Sequence, residues 1–389
     1  MALNDQAPSA GDPIRVMVVD DSAVVRGLIT RMLEEDPAIT VTASVGNGQM
    51  AISALERHSI DVVVLDIEMP VMDGLTALPR MLQMDPGLQV IMASTLTLRN
   101  AEISMKAMEA GAADYIPKPT SSRDISGGGD FKHELLEKVR TLGNVRRRGG
   151  IARRPAATSS AAAARPAPVA PRPAAAPRAP IPLHPGPIVL RQPGNDPADV
   201  IAIGSSTGGP QALFSVLGAL RTAGLRQPIL ITQHMPATFT TILAEHISRQ
   251  CGLAAAEAKD GEPIAQGRVY IAPGDFHMLV AQRGGQNVLQ LTKDPPENFC
   301  RPAVDPMMRS IVKAYGARKV LACILTGMGQ DGLRGCTEVV NQGGVLIGQD
   351  EASSVVWGMP GAVAQAGLCS AILPLKEIGP TLRKLAARA

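Results

Sequence analysis

An acid-free stretch rich in alanine, proline and arginine divides this chain into two parts. Ala, Pro and Arg fill 28 of the 37 positions from 151 to 187, and no Asp or Glu occurs from 139 to 195. Such a segment buries too little apolar surface to offset the entropy lost on ordering. The sequence therefore predicts a disordered linker over 143–197 and a disordered N-terminus over 1–13. Two folded units are expected, over 14–142 and 198–389.

The bulk composition fits two globular domains and argues against several other classes. With 389 residues, 45% of them hydrophobic, the chain can fill two cores. The net charge is only +3, much of the basic excess lies in the linker, and aromatics make up 2%. We therefore expect no nucleic-acid-binding face. Five scattered cysteines indicate a reducing compartment, and no apolar run is long enough for membrane insertion, so a cytoplasmic location is predicted.

Short apolar runs alternate with helical patterns throughout residues 14–142. Continuous apolar runs of this kind are typical of parallel strands covered on both faces. In such a sheet, the loops that follow the strands form the binding site. The residues in those loops that carry chemistry are Asp20, Asp21, Asp66, Ser94 and Lys118.

Three carboxylates at one edge of a sheet repel each other unless a cation lies among them. Hard oxygen ligands suit Mg²⁺. A carboxylate beside bound Mg²⁺ can attack a phosphoryl group while the metal and a lysine neutralise its oxygens. Each of these residues alone is better read as an ordinary strand-end acid or surface lysine, but all five at successive strand ends predict a phosphorylation site.

These motifs resemble the receiver domain of two-component response regulators, over roughly residues 14–140. The residues that carry the resemblance are Asp20-Asp21, the segment Asp66 to Gly74, Ser94, and Lys118-Pro119. The resemblance implies a flavodoxin-like parallel sheet in which Asp66 accepts the phosphoryl group and Ser94 and Lys118 act as switch residues. The Mg²⁺ ligands that it implies are Asp20, Asp21, Asp66 and the backbone carbonyl of Glu68.

The second unit repeats the alternation of apolar runs and helices. Its runs lie at 200–203, 229–232, 269–272, 288–291, 320–325, 345–347 and 371–373. They predict a doubly wound, mostly parallel α/β domain of six or seven strands. The run at 288–291 follows Arg283-Gly284-Gly285, which predicts a hairpin turn before it.

The first of these runs ends in Gly204-Ser205-Ser206-Thr207-Gly208, which fits the pattern G-x-S-x-G. A strand, a tight turn and a helix at this point would present a hydroxyl beside the free N–H groups of the helix start. The pattern alone fits a plain turn or a phosphate cradle more often than a nucleophile. Neither G-x-G-x-x-G nor G-x-x-x-x-G-K-[ST] occurs at this loop, which disfavours a nucleotide-binding domain.

A serine nucleophile needs a base within about 3 Å, usually an imidazole. His234 lies directly after the predicted strand 229–233, and His277 lies past a turn after another strand. The spacing does not decide between them. His246 is predicted to lie in mid-helix on a solvated face.

A carboxylate must then orient the imidazole. Asp331, Asp305 and Asp350 are the candidates. Asp331 follows a buried run and lies in a Gly-rich loop whose N–H groups could face an oxyanion. The same residue could equally cap the helix that follows.

Residues 199–386 resemble the catalytic domain of the chemotaxis protein-glutamate methylesterases. The shared segments are 203–209, 231–236, 270–275, 301–305, 325–332, 351–353 and 358–360. The resemblance implies Ser206 as nucleophile, His234 as base and Asp331 as its orienter. It also implies an oxyanion hole formed by the backbone N–H groups of Thr207 and Met328. Ser205 stands where that family often has Ala.

The two resemblances together imply a phosphorylation-activated serine hydrolase. It would demethylate glutamate γ-methyl esters, and deamidate certain glutamines, on methyl-accepting chemotaxis receptors. A chemotaxis histidine kinase would supply the phosphoryl group, and the unphosphorylated receiver would cover the esterase cleft. The esterase domain is expected to need no cofactor, and the chain is expected not to insert into a membrane. The alternative is a phospho-regulated signalling adaptor whose hydrolase-like domain is not catalytic.

Overall fold

The structure, a computed structural model, describes residues 12–95, 97–118, 129–152, 188–194, 196–221 and 225–387. Most of the predicted disordered N-terminus, and residues 153–187 of the predicted linker, lie outside the described residues. Residues 143–152, assigned above to the linker, instead continue a helix. That helix stays on the first domain because Arg146 bonds Asp85 and Arg147 bonds the backbone carbonyls of Asp12 and Pro13.

The first domain is a five-stranded parallel sheet in the order β2-β1-β3-β4-β5. Its strands are β1 (Ile14–Val19), β2 (Ile39–Val45), β3 (Val62–Asp66), β4 (Gln89–Ser94) and β5 (Asp114–Pro117). The described helices are α1 (Ala23–Glu34), α2 (Gly48–Leu55), α3 (Gly74–Met84), α4 (Leu98–Glu109) and α5 (Gly129–Ala152). The predicted flavodoxin-like sheet is confirmed.

Side chains cap the starts of the first four helices. Ser22, Asn47, Asp73 and Thr97 each accept a hydrogen bond from the backbone N–H three residues later. Such caps satisfy N–H groups that have no partner within the helix. They also fix where each helix leaves the loop at the carboxyl end of the preceding strand.

The second domain is a seven-stranded, fully parallel sheet in the order β14-β13-β12-β6-β7-β9-β8. Its strands are β6 (Val200–Ser205), β7 (Ile229–Gln233), β8 (Ala254–Glu257), β9 (Arg268–Ile271), β12 (Val320–Ile324), β13 (Val345–Gln349) and β14 (Ala371–Leu373). The strands β10 (His277–Arg283) and β11 (Gln286–Thr292) form a separate antiparallel hairpin, which confirms the predicted turn at Gly284-Gly285. The doubly wound α/β prediction is confirmed, although the alanine-rich β8 was missed.

Six helices cover this second sheet within the described residues. They are α6 (Gly209–Leu220), α7 (Ala237–Cys251), α8 (Val304–Tyr315), α9 (Leu333–Asn341), α10 (Met359–Gln365) and α11 (Leu375–Ala386). The central strand β6 has β7 on one side and β12 on the other. Chain order therefore reverses direction around β6, and the crevice at its carboxyl end is the usual ligand site of such folds. No helix that the structure describes has the length and apolarity needed to cross a bilayer.

The two domains pack on each other through α4 and β5 of the first and α6 and α7 of the second. The Gln211 amide donates to the backbone carbonyls of Met108 and Ala112, both at 2.9 Å. The Tyr115 ring stacks on Phe239 with 4.3 Å between centroids and 11° between planes. Aromatic stacking of this kind adds roughly 0.5–1.5 kcal/mol beyond the burial of area.

Gly74, at the start of α3, tests how tightly the loop after β3 is packed. A Cβ at this position would lie 2.1 Å from the backbone oxygen of Asp66. Gly74→Ala should therefore destabilise the first domain by about 1–3 kcal/mol, measured by urea unfolding. Gly27→Ala is the matched control, because Gly27 lies in α1 with nothing within 4 Å of its Cβ position. It should be neutral or stabilise by up to about 1 kcal/mol. Equal effects at both positions would contradict this account.

Candidate active site and phosphorylation site

Acidic side chains cluster at the carboxyl ends of β1 and β3. Carboxylate oxygens of Asp20, Asp21 and Asp66 lie within 4.8 Å of one another. Lys118 Nζ lies 2.6 Å from Asp20 Oδ2 and 2.7 Å from Asp66 Oδ1. This all-oxygen set is of the kind that holds Mg²⁺. The side chain of Glu68 is exposed, and the role of its backbone carbonyl as a ligand stays a prediction.

Burial sets the protonation behaviour of Asp66. Desolvation and the neighbouring Asp20 charge raise the pKa of Asp66 to about 6, although Lys118 acts in the opposite direction. A cation placed among these carboxylates would favour the charged, nucleophilic form of Asp66. The local geometry therefore fits the predicted acceptor of a phosphoryl group.

Ser94 connects this cluster to the interface between the domains. Its buried hydroxyl lies 3.2 Å from Ser104 Oγ on α4. Helix α4 is the element whose end receives the Gln211 amide of the second domain. A rearrangement of Ser94 would therefore act directly on the helix that holds the two domains together.

The structure places Ser206, His234 and Asp331 after three adjacent strands, β6, β7 and β12. His234 Nε2 lies 2.8 Å from Asp331 Oδ2. The backbone N–H of His234 donates to Ser205 O at 3.1 Å, so Ser206 and His234 occupy neighbouring strand ends. Gly327, in the loop after β12, lies so close that a Cβ there would be 2.9 Å from Ser206 Cβ.

The turn at Ser206 is fixed on both sides. Ser206 N donates to Thr326 O at 3.0 Å, and Ser206 O accepts from Gln233 Nε2 at 2.9 Å. Gly208 takes a left-handed φ of 74°, which a glycine adopts without strain. Helix α6 then begins at Gly209, as the sequence predicts.

Asp331 is buried and accepts hydrogen bonds from four further donors. These are the backbone N–H groups of Val304 (2.6 Å), Asp305 (3.1 Å) and Gly332 (2.9 Å), and the Asn298 amide (2.8 Å). Burial raises the pKa of Asp331, but His234 and these amides outweigh it and the net shift is downward. The carboxylate is therefore charged and held in one orientation toward the imidazole.

The other candidates have structural roles. His277 Nδ1 accepts from Ala303 N and Nε2 lies near Pro295 O, both at 3.2 Å, so both ring nitrogens are engaged. Asp305 accepts from Gly335 N at 2.7 Å, and Asp350 accepts from Ser353. Asp331 is thus the carboxylate that faces His234, and the roles of the two residues as orienter and base stay predictions.

The expectation for His246 was wrong. It is buried rather than solvated, with its Nδ1 3.2 Å from Glu109 Oε1 on α4. The helical pattern predicted an outward face, and that face is covered by the other domain. No sequence pattern within the second domain carries this information.

Two residues near the pair were missed by the sequence analysis. Cys300 Sγ lies 3.4 Å from His234 Nδ1, the ring nitrogen that does not face Asp331. Asn298 holds Asp331 and also donates to Asp305 Oδ2 at 3.1 Å. The only available signal was that both lie within three residues of the shared segment 301–305.

A cleft of about 550 Å³ opens beside the pair. Its walls include His234, Phe299, Cys300, Met328 and Trp357. The backbone N–H groups of Thr207 and Met328 donate to no acceptor among the described residues. Unpaired N–H groups beside a serine are what an oxyanion hole requires.

The fold and the paired sites define a class, a response regulator in which a receiver domain is joined to a hydrolase domain. Residues 16–127 match the response regulator receiver domain, and residues 201–382 match the CheB methylesterase family. The chain belongs to the protein-glutamate methylesterase/protein-glutamine glutaminase family.

Relatives of that name match along the whole chain. The protein-glutamate methylesterase/protein-glutamine glutaminase of Azospirillum brasilense is 68% identical over 98% of this chain and 95% of its own. A second, from Paramagnetospirillum magneticum, is 65% identical over 100% of both chains. The crystal structure of the Thermotoga maritima CheB methylesterase catalytic domain is 39% identical, with a TM-score of 0.47, covering 49% of this chain and 100% of that one.

The environment of His234 predicts an unusual pH dependence. Burial lowers the pKa of His234, but the hydrogen bonds to Cys300 and Asp331 and the charge of Asp331 outweigh it and raise the pKa to about 10. Only the neutral imidazole can take a proton from Ser206, so kcat/KM should rise with pH through the neutral and alkaline range. Cys300→Ser replaces the sulfur that contacts His234 Nδ1 and should move this rise to lower pH.

The measurement is the pH profile of ester hydrolysis by the wild type and Cys300→Ser. Cys251→Ser is the matched control, because Cys251 is buried at the end of α7 away from the cleft. A profile that is identical in all three proteins would show that Cys300 does not influence the base.

Proposed function

We propose that this chain is a phosphorylation-activated serine hydrolase acting on methyl-accepting chemotaxis receptors, where it demethylates glutamate γ-methyl esters and deamidates certain glutamines. The observation that carries the proposal is that Ser206, His234 and Asp331 follow the adjacent strands β6, β7 and β12, with His234 Nε2 2.8 Å from Asp331 Oδ2. The names of the full-length relatives support the same two reactions, on protein glutamate methyl esters and on protein glutamines.

The chemistry begins with attack of Ser206 Oγ on the ester carbonyl carbon. His234 accepts the hydroxyl proton at Nδ1, because Nε2 faces Asp331. In the docked structure Nδ1 lies 3.4 Å from Cys300 Sγ, so the Ser206 hydroxyl must replace this contact before the proton can transfer. The N–H groups of Thr207 and Met328 stabilise the oxyanion of the tetrahedral intermediate. The intermediate collapses, His234 returns the proton to the leaving methoxide, and methanol departs.

Water completes the cycle. His234 takes a proton from water, which attacks the acyl-enzyme, and the proton then returns to Ser206 as the glutamate carboxylate is released. A glutamine side chain follows the same path with ammonia as the leaving group. Both proposed activities thus use one site and need no cofactor in the hydrolase domain.

Ser206→Ala tests the chemistry. It removes the nucleophile and should reduce methanol release from methylated receptor membranes on the order of 10³-fold or more. Ser205→Ala is the matched control on the adjacent residue, whose hydroxyl bonds Gln233 rather than facing the cleft. That variant should keep most of the activity. A wild type that releases no methanol under phosphorylating conditions would favour the non-catalytic adaptor.

Regulation is proposed to act through the receiver's contacts with both oxyanion residues. The Thr207 hydroxyl donates to Asp114 Oδ2 on β5 at 2.6 Å. The Thr141 hydroxyl on α5 lies 3.3 Å from Met328 Sδ. The docked receiver therefore holds the two residues whose backbone N–H groups must meet the substrate.

Lys138 stabilises the Asp114 carboxylate that accepts the hydrogen bond from Thr207. Lys138 Nζ lies 3.3 Å from Asp114 Oδ2 and also contacts Glu134 and the Tyr115 carbonyl. Burial lowers the pKa of Lys138, but Asp114 and Glu134 outweigh it and raise the pKa above its usual range. Asp114 is thus held by Lys138 as a hydrogen-bond acceptor that faces the hydrolase domain.

Phosphorylation of Asp66 would add roughly −1.5 to −2 charges beside Lys118. Mg²⁺ would be held by Asp20, Asp21, Asp66 and the carbonyl of Glu68, and would neutralise charge on the phosphoryl oxygens. Ser94 would turn toward the new group and release Ser104, which loosens α4 from the second domain. We propose a chemotaxis histidine kinase as donor and the cytoplasm as location.

The proposed organisation is a receiver over residues 14–142, extended by α5 to residue 152, and a catalytic domain over 198–389. Residues between them would form the linker. This division supports the regulatory proposal, because two separately folded units can undock without unfolding.

Gln211→Glu tests docking without touching the catalytic residues. The new carboxylate would face two backbone carbonyls, Met108 O and Ala112 O, in place of the amide that now donates to both. We expect several-fold higher basal esterase activity without phosphodonor and little change once Asp66 is phosphorylated. Gln342→Glu, at an exposed position after α9, is the control for added charge. Unchanged basal activity in Gln211→Glu would contradict this role of the interface.

A further inference from the structure

A two-residue turn at the edge of the cleft has an unusual backbone. Glu297 and Cys300 bond each other in both directions, N to O at 3.1 and 2.9 Å. The two residues between them, Asn298 and Phe299, have φ angles of 52° and 62°. Turns of this kind favour Asn followed by Gly. Asn tolerates the left-handed region, whereas Phe at the second position bears a steric cost that Gly would avoid.

The turn is fixed relative to the catalytic pair. Glu297 pairs with Arg309 on α8. The Asn298 amide donates to Asp331 Oδ1 at 2.8 Å, and Cys300 Sγ lies 3.4 Å from His234 Nδ1. The backbone at Phe299 is therefore fixed beside the two residues that would act on the substrate.

The Phe299 ring contributes little stabilising contact that would offset the backbone strain at this position. It is 91% exposed, the highest value among the large hydrophobic side chains of the described residues. A ring left in water contributes almost nothing to stability through burial. Strained backbone beside an active site indicates function when no packing explains it.

The cleft is large enough for a side chain but not for the protein that carries it. The side chain of a glutamate methyl ester would enter the cleft beside Trp357, which lines it. The backbone and neighbouring side chains of the substrate must then lie over the rim, where the Phe299 ring is exposed. An aromatic ring offers a large apolar contact at low entropic cost.

We propose that Phe299 is a specificity-determining residue that packs against apolar side chains next to the target glutamate on the receptor helix. This inference rests on the proposed function. The receiver already reaches the same ring, because His133 on α5 lies 5.6 Å from Phe299 between centroids. Docked receiver and bound substrate would thus compete for one surface.

Phe299→Gly provides the test, because glycine removes the ring and suits the backbone of the turn. The full chain is assayed with phosphodonor on two substrates, methylated receptor membranes and the free amino acid glutamate γ-methyl ester. We expect kcat/KM on the receptor to fall roughly tenfold or more, as expected for the loss of a buried aromatic contact. Hydrolysis of the small ester should stay within about twofold, and the melting temperature should be unchanged or higher.

Two further variants complete the design. Phe299→Leu keeps an apolar side chain and should retain most receptor activity. Val189→Ala alters an exposed apolar residue that does not line the cleft and should behave as wild type. Release of receiver inhibition affects both substrates, so the ratio of the two rates isolates the contact with the receptor.

The outcomes separate the inference from the function on which it rests. Equal receptor activity in Phe299→Gly and wild type would overturn the inference, and so would equal losses on both substrates. If the wild type hydrolyses neither substrate, or Ser206→Ala retains the activity, the proposed function itself fails and the inference falls with it.

Discussion

A single buried carboxylate organises the catalytic domain. Asp331 accepts from the His234 ring, from the backbone of Val304, Asp305 and Gly332, and from the Asn298 amide. These donors come from the end of β7, the turn before α8, the start of α8 and the start of α9. An unpaired buried carboxylate would cost several kcal/mol, so these segments must assemble together around it. The orientation of the His234 imidazole therefore depends on all of the segments that bond Asp331.

A small number of hydrogen bonds likewise determines how the two domains contact each other. The receiver does not simply lie across the cleft, because Asp114 takes the Thr207 hydroxyl and Thr141 reaches Met328. Within the receiver, Ser94 O accepts from Lys118 N at 2.7 Å, and the Ser94 hydroxyl lies 3.2 Å from Ser104 Oγ on α4. These contacts lead from the acidic cluster to the helix that packs on the second domain. Because each contact is a discrete hydrogen bond, docking and release can be two distinct states.

Much of this site could be predicted from sequence, because parallel strands gather their carboxyl ends at one edge. Ser206, Asp66 and Asp331 lie at or after the ends of apolar runs. Reactive side chains were therefore predicted at two crevices. The choice between His234 and His277 depended on side-chain partners that periodicity does not encode. The contact of Cys300 with His234 and the burial of His246 under α4 depend on tertiary packing between segments far apart in the chain. Strand β8 was not predicted because its three alanines have a low strand propensity.

The wall of the cleft opposite Phe299 has a spectroscopic consequence. Trp357 is the sole tryptophan of the chain, and its indole N–H donates to Gln349 O at 2.9 Å, which fixes the ring in the cleft wall. The protein therefore carries a single tryptophan fluorophore, and it lies in the wall of the cleft that the proposed substrate would enter. Its emission colour and its quenching by dissolved iodide report solvent access to the cleft without any label.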